Sequence, residues 1–213
     1  MTTESFYIPE RSVKPMNLFV MGRGPTILPK EFLDHCWEAY SELHRVYHAS
    51  WHILDIFSRA SNAGVVLSLN QITAIFGHDV TYWPDVPKGF NEASSVAELA
   101  KFDSLFAAQY DPAEVFRIIL DTVDHVPTCE ASKVVLDLDL AGFADSYEEF
   151  LNYGELIWQE VRNVLPTFSR ETFDAKRKEF LAGFLNRGRI YHSEHFAHLE
   201  PLARANISQY INN

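Results

Sequence analysis

The sequence is poor in cysteine: Cys36 and Cys129 are the only two in 213 residues. Two thiols supply neither a disulfide framework nor a cysteine-based zinc site, and both are expected to be reduced and buried. A basic run is also missing. With a formal net charge of −11, nothing offers the series of Lys and Arg contacts that neutralises a phosphate backbone, so duplex nucleic acid is excluded as a partner. A small phosphorylated ligand is not excluded, because a metal and a few arginines can locally reverse an acidic surface. No window holds the roughly 18 uninterrupted apolar residues of a membrane span. Met1 to Pro15 has no apolar core of signal-peptide length, so the expectation is a cytoplasmic protein with no membrane partner. Gly22 and Gly24 form no phosphate-cradling loop ahead of a helix, which leaves a P-loop or dinucleotide fold unsupported.

What the chain does carry is apolar surface with helical period. Hydrophobic residues make up 47% and charged residues 22%, the balance of a globular protein. The length suits one domain with one sizeable core, and 16 Phe point to a bulky interior. Residues 1–28 hold Pro9, Pro15, Gly22, Gly24 and Pro25, too many breakers for a helix. They are expected as an extended arm packed through Phe6, Tyr7, Leu18 and Phe19. From residue 29 onward apolar positions recur at three- and four-residue spacing. The expected helices cover 29–44, 47–61, 66–78, 91–108, a segment from Asp111-Pro112 to Asp124, 131–143, 146–164, 170–186 and 193–211. Asn91 is the expected N-cap of the fourth. In Val134 to Leu140 alternation would also allow a strand with Val135, Asp137 and Asp139 on one face, although helical neighbours favour a short buried helix. The expected fold class is all-α, an irregular multi-helix domain over 29–213 rather than a simple four-helix bundle.

Polar residues interrupt this apolar pattern at particular places. His48 and His52 lie four apart, on one helical face because four steps of about 100° return to within about 40° of the start. His78-Asp79 closes the next helix, His125 closes another, and Asp139 lies in the 131–143 segment. A lone His-Asp dipeptide carries little information. The set carries more, since burying this many polar groups is costly unless they are paired or coordinate an ion. Imidazole with carboxylate suits divalent Zn, Fe, Mn or Co. By contrast His192, His195 and His198 sit among Ser193, Glu194 and Glu200 and read as a solvated helix face. His35 and His44 lack an acidic partner pattern and read as structural; Asp137 reads as a plain neighbour of Asp139.

Taken in order, several segments resemble the HD superfamily of metal-dependent phosphohydrolases, and within it a poorly characterised subgroup of predicted phosphohydrolases. They are Tyr40-Ser-Glu-Leu-His-Arg45-Val-Tyr-His48-Ala-Ser-Trp-His52-Ile, Phe76-Gly-His78-Asp79-Val-Thr-Tyr82, Asn91-Glu92-Ala-Ser94, Thr122-Val-Asp-His125, Leu136-Asp137-Leu-Asp139-Leu140 and Ala203-Arg204-Ala-Asn206-Ile207. The resemblance covers roughly residues 40–210. It implies an HD-domain-like orthogonal bundle with His48, His78, Asp79 and Asp139 as ligands of one divalent ion, drawn from Mn, Fe, Co, Zn or Mg. His52 and His125 would lie beside it as further ligands or phosphate contacts. Asp79 would help hold the attacking water and Glu92 would orient or deprotonate it. Arg45 and Arg204 would be either phosphate clamps or structural ion pairs. The implied activity is hydrolysis of a phosphoester, on a nucleotide or similar small phosphorylated metabolite, by a metal-activated water. Two alternatives use the same residues: an HD-type di-iron oxygenase, with His52 and His125 completing a second site, or a non-catalytic nucleotide-binding module. A homo-oligomer is compatible with all three. The chain departs from the subgroup in having no arginine between Asp139 and Arg162, and in the Trp83-Pro84 pair. Both differences bear on the substrate more than on the metal ligands.

Overall fold

A computed structural model describes residues 28–106 and 110–213. The expected arm lies outside the described residues, apart from Leu28, as do 107–109 at the end of the expected fourth helix. The described residues form α1 (Lys30–Ala39), α2 (Ser50–Asn62), α3 (Leu69–Gly77), α4 (Phe90–Leu99), α5 (Pro112–Asp121), α6 (Glu130–Asp139), α7 (Tyr147–Val164), α8 (Arg170–Leu185) and α9 (Glu200–Asn212). Short 3-10 turns cover Ala100–Leu105, Ala141–Ala144 and Ala197–Leu199. Among the described residues there is no strand, and no helix is long and apolar enough to cross a membrane. Cys36 and Cys129 are free thiols, the first buried and the second only partly so.

Helix α3 is the one the others enclose, packing against α1, α2, α4, α5 and α6. Its start is fixed by a reciprocal capping box between Ser68 and Gln71, which satisfies two backbone donors that would otherwise be orphaned. Ile72, Ala74, Ile75 and Phe76 are buried along it, and the one buried hydroxyl, Thr73, donates back to the Leu69 carbonyl at 2.8 Å. Its end is fixed by Tyr40, whose hydroxyl donates to the Phe76 carbonyl at 3.0 Å and accepts from the Asp79 amide at 3.3 Å. This pins the turn that carries His78 and Asp79. Helix α9 packs on α8 and on the Ala141–Ala144 turn, where Asn206 donates to the carbonyls of Phe143 and Asp145, both at 2.9 Å. The turn directly after Asp139 is thereby tied down.

Several boundaries differ from the sequence expectation, and three have a visible reason. The chain from Tyr40 to Ala49 is a loop rather than helix, because the Glu160 carboxylate captures the amides of Val46, Tyr47 and His48. Helix α9 begins at Glu200 instead of 193. The amides of His192 and Ser193 donate to Asp137, and those of Ile190 and Tyr191 to Glu200, so His192, His195 and His198 do not share a helix face. Gly89, in the left-handed region at φ +79°, is the N-cap of α4. Asn91 lies inside that helix and spends its amide on the backbone of Trp83, accepting from the N–H and donating to the C=O at 3.0 Å each. The ambiguous segment is helix α6, with Asp137 wholly buried.

Candidate metal centre

Three elements deliver the central group. Helix α2 supplies His52 from its first turn, the C-terminal end of α3 supplies His78, and the last residue of α6 is Asp139. One potential ligand atom from each of His52, His78 and Asp139 lies within 4.8 Å of the other two. That set could bind a metal ion. Asp139 is used on both sides: His52 Nε2 is 3.0 Å from Oδ1 and His125 Nε2 is 3.1 Å from Oδ2. His125 reaches it from the loop after α5, with a positive φ of 49° that is uncommon for a non-glycine residue and marks a backbone held by its surroundings. Its carbonyl accepts from Arg187 at 3.3 Å.

His78 has the arrangement of a ligand. Its Nδ1 donates to the Ile75 carbonyl at 2.9 Å, which fixes the ring as a backbone carbonyl on the far nitrogen fixes metal-binding imidazoles. Its Nε2 is buried with no hydrogen-bond partner. Asp79 Oδ2 is 3.0 Å away and Asp139 Oδ1 3.7 Å, near enough for charge attraction. Burial alone would disfavour a proton on this ring, yet the Asp79 and Asp139 charges outweigh it and push its pKa up to about 10. Despite their own burial, Asp79 is held below the usual carboxylate range by His78 and His48. Asp139 is held well below that range by its bonds to His125 and His52 and by the His78 charge. The two carboxylates beside it thus favour a positive charge on the His78 ring.

The remaining expected residues fall around this core. His48 lies just before α2, stacked on Tyr82 with ring centroids 3.9 Å apart. Its Nδ1 is 2.6 Å from Glu160 Oε1, and although burial opposes it, that carboxylate raises its pKa. The ring centre is 6.1 Å from that of His52, and His48 is not one of the three residues whose potential ligand atoms converge within 4.8 Å. Arg45 spends its guanidinium on Glu42 at 2.8 Å and on the carbonyls of His48, Asp79 and Val80 at 3.2, 2.6 and 3.0 Å. Arg204 pairs with Glu200 at 2.7 Å and donates to the carbonyls of Leu185 and Arg187. Both arginines thus fasten backbone. Glu92 is in the first turn of α4 and joins the His/Asp group through no hydrogen bond or ion pair among the described residues. Glu160, which no sequence motif singles out, and Asp137, expected as a plain neighbour of Asp139, are fully buried carboxylates that hold the loops beside the cluster. No protein family, curated protein or solved structure matches the chain.

Proposed function

We propose that this protein is a metal-dependent hydrolase of small phosphoesters, with His52, His78 and Asp139 holding a divalent ion and with Asp79 and His125 at its margin. The observation that carries this reading is His78 Nε2: a buried nitrogen with no hydrogen-bond partner, its ring locked through Nδ1, facing two carboxylates. An imidazole-and-carboxylate donor set suits Zn, Fe, Mn or Co. Such an ion, when bound, lowers the pKa of water from about 15.7 towards about 7 and offsets phosphate charge. Asp79, ionised and beside the centre, would accept the proton of the attacking water. His125 and His48 would donate to phosphate oxygens as charge builds on them, and Tyr82, stacked on His48, would keep that ring in place. Elemental analysis of the purified protein, paired with phosphate release from a panel of phosphomonoesters, tests this. The expected result is stoichiometric metal and turnover that both disappear in His78→Ala and Asp139→Ala. Turnover that survives in a metal-free double variant refutes it, and saturable ligand binding without product would mark a binding module.

One observation favours a second reading. Asp139 turns one oxygen to His52 and the other to His125, as a carboxylate shared by two cations would. An oxygenase with two irons would lose its activity without dioxygen; a rate maintained under anaerobic conditions removes this option.

A further inference from the structure

Beside the cluster lies a cavity of about 110 Å³, its wall formed by His48, His125 and Asp139 together with Phe143, Phe180 and Arg177. Arg177 comes from α8 and is only 8% exposed. Its Nε is buried without a hydrogen-bond partner, and the rings of Phe150 and Tyr210 stand 5.8 and 5.7 Å from its guanidinium carbon. Among the described residues no carboxylate lies within ion-pair distance of it. Arg45, the other buried arginine among the described residues, has such a partner. A buried cation without a paired anion is costly, and burial pulls the Arg177 pKa below the ordinary arginine value, only partly offset by Tyr210, Tyr47 and the more distant Glu155 carboxylate. Helix α7 also keeps a glycine against it: a Cβ at Gly154 would lie 3.0 Å from Nε and 3.3 Å from the guanidinium carbon. Glycine is a poor helix-interior residue, and here it leaves the guanidinium its space.

We propose that Arg177 is the phosphate-pairing residue of this pocket, and that the substrate is a phosphomonoester with a compact apolar body of a few carbons. The assignment of the reacting group rests on the hydrolase reading above; the anion site rests on Arg177 and the cavity. Size decides against a nucleoside: an engineered apolar cavity of about 150 Å³ holds benzene, and pockets for drug-sized ligands run to about 300–1,000 Å³. The aromatic walls suit an apolar body, while Asp139 and His125 on the same cavity put the phosphorus next to the cluster. The phosphate clamp that the sequence would assign to Arg45 or Arg204 falls instead to a residue of α8.

The test uses propylphosphonate, which cannot be hydrolysed, titrated calorimetrically into the full chain with and without manganese, with 1-butanol as the neutral counterpart. Losing a charged hydrogen-bonding partner weakens binding about tenfold to a hundredfold. Arg177→Met should show that loss for the phosphonate, with 1-butanol and manganese binding unchanged. Arg177→Lys should recover part of it, and Gly154→Ala, whose methyl displaces the guanidinium, should weaken phosphonate binding in the same direction. Circular dichroism checks folding; if Arg177→Met does not fold, the Lys and Gly154 variants carry the comparison. Phosphonate affinity equal to wild type in the folded variants overturns the assignment, and AMP binding as tightly as propylphosphonate overturns the size limit. A wild type that binds phosphonate through Arg177 but no metal refutes the hydrolase reading while supporting this one.

Discussion

Removing the Glu160 carboxylate should unhook the loop that carries His48. The side chain is 0% exposed. Oε2 accepts from the amides of Val46, Tyr47 and His48 at 2.8, 3.1 and 3.0 Å, and Oε1 meets His48 Nδ1 at 2.6 Å. In Glu160→Ala three amides and one imidazole lose their partner. A buried donor left unpaired costs about 1–3 kcal/mol. Since that loop is only partly buried, water will reach some of the donors, so the lower end applies and the sum is about 3–5 kcal/mol. That is a large share of the roughly 5–15 kcal/mol that holds a domain folded. Glu160→Gln keeps an oxygen for the amides and loses the charged bond to His48, for a cost of about 1.5–3 kcal/mol. The pH dependence follows from two opposite shifts. Although burial opposes both, His48 holds the Glu160 pKa down and Glu160 holds the His48 pKa up. The carboxylate's contribution is present above its unfolded pKa and is lost as pH falls through its lower folded value. The imidazole's is present below its unfolded pKa and is lost as pH rises through its higher folded value. The wild-type advantage over Glu160→Gln should therefore be widest between the ordinary carboxylate and imidazole ranges and shrink on either side. Urea unfolding across pH measures it, with an unchanged denaturant slope showing that only stability has moved. Glu160→Ala unfolding within about 0.5 kcal/mol of wild type would refute the reasoning, because that is the range of a surface change.

Arg45→Lys should cost about 2–4 kcal/mol, since a point charge cannot serve the His48, Asp79 and Val80 carbonyls together. It should also weaken manganese binding by loosening the turn that holds His78; calorimetry showing unchanged metal affinity would make Arg45 a stability residue only. Asp137→Ala should cost about 2–4 kcal/mol by stranding the His192 and Ser193 amides, yet leave manganese affinity as it was, whereas Asp139→Ala should abolish it. A divalent ion must displace the proton that Asp79 and Asp139 hold on His78, whose pKa is about 10. Metal affinity should then rise about tenfold per pH unit through the neutral range, with one proton released per ion; a pH-independent affinity would mean that His78 is not a ligand.

The all-helical class was legible because apolar spacing is a local property. Asp111-Pro112 announces a helix start that the structure uses, whereas α3, expected from residue 66, begins only after the Ser68 cap. The gathering of His52, His78 and Asp139 was legible only in part: each polar residue stood out in an apolar run, but nothing local shows that Glu160 takes the Nδ1 of His48 from 112 positions away. Helix ends were misjudged where a distant carboxylate claims amides that would otherwise have continued a helix, at Val46–His48 and at His192–Ser193.

A usable signal was nonetheless present in the helix periods. Glu160 shares the buried face of α7 with Phe150, Tyr153 and Leu156. Arg177 lies between Phe173 and Leu181, four residues from each, on the buried face of α8, and Asp137 falls within an unbroken buried run from Val134 to Leu138. A charge at a core-facing position cannot be solvated, so it must be answered by something else inside the fold. Glu160 and Asp137 are answered by the amides of non-helical loops, which is how those loops are held beside the cluster. Among the described residues no carboxylate lies within ion-pair distance of Arg177, and only the more distant charge of Glu155 bears on it. The same physical requirement that makes the two acids structural makes this arginine the place where a ligand's negative charge belongs.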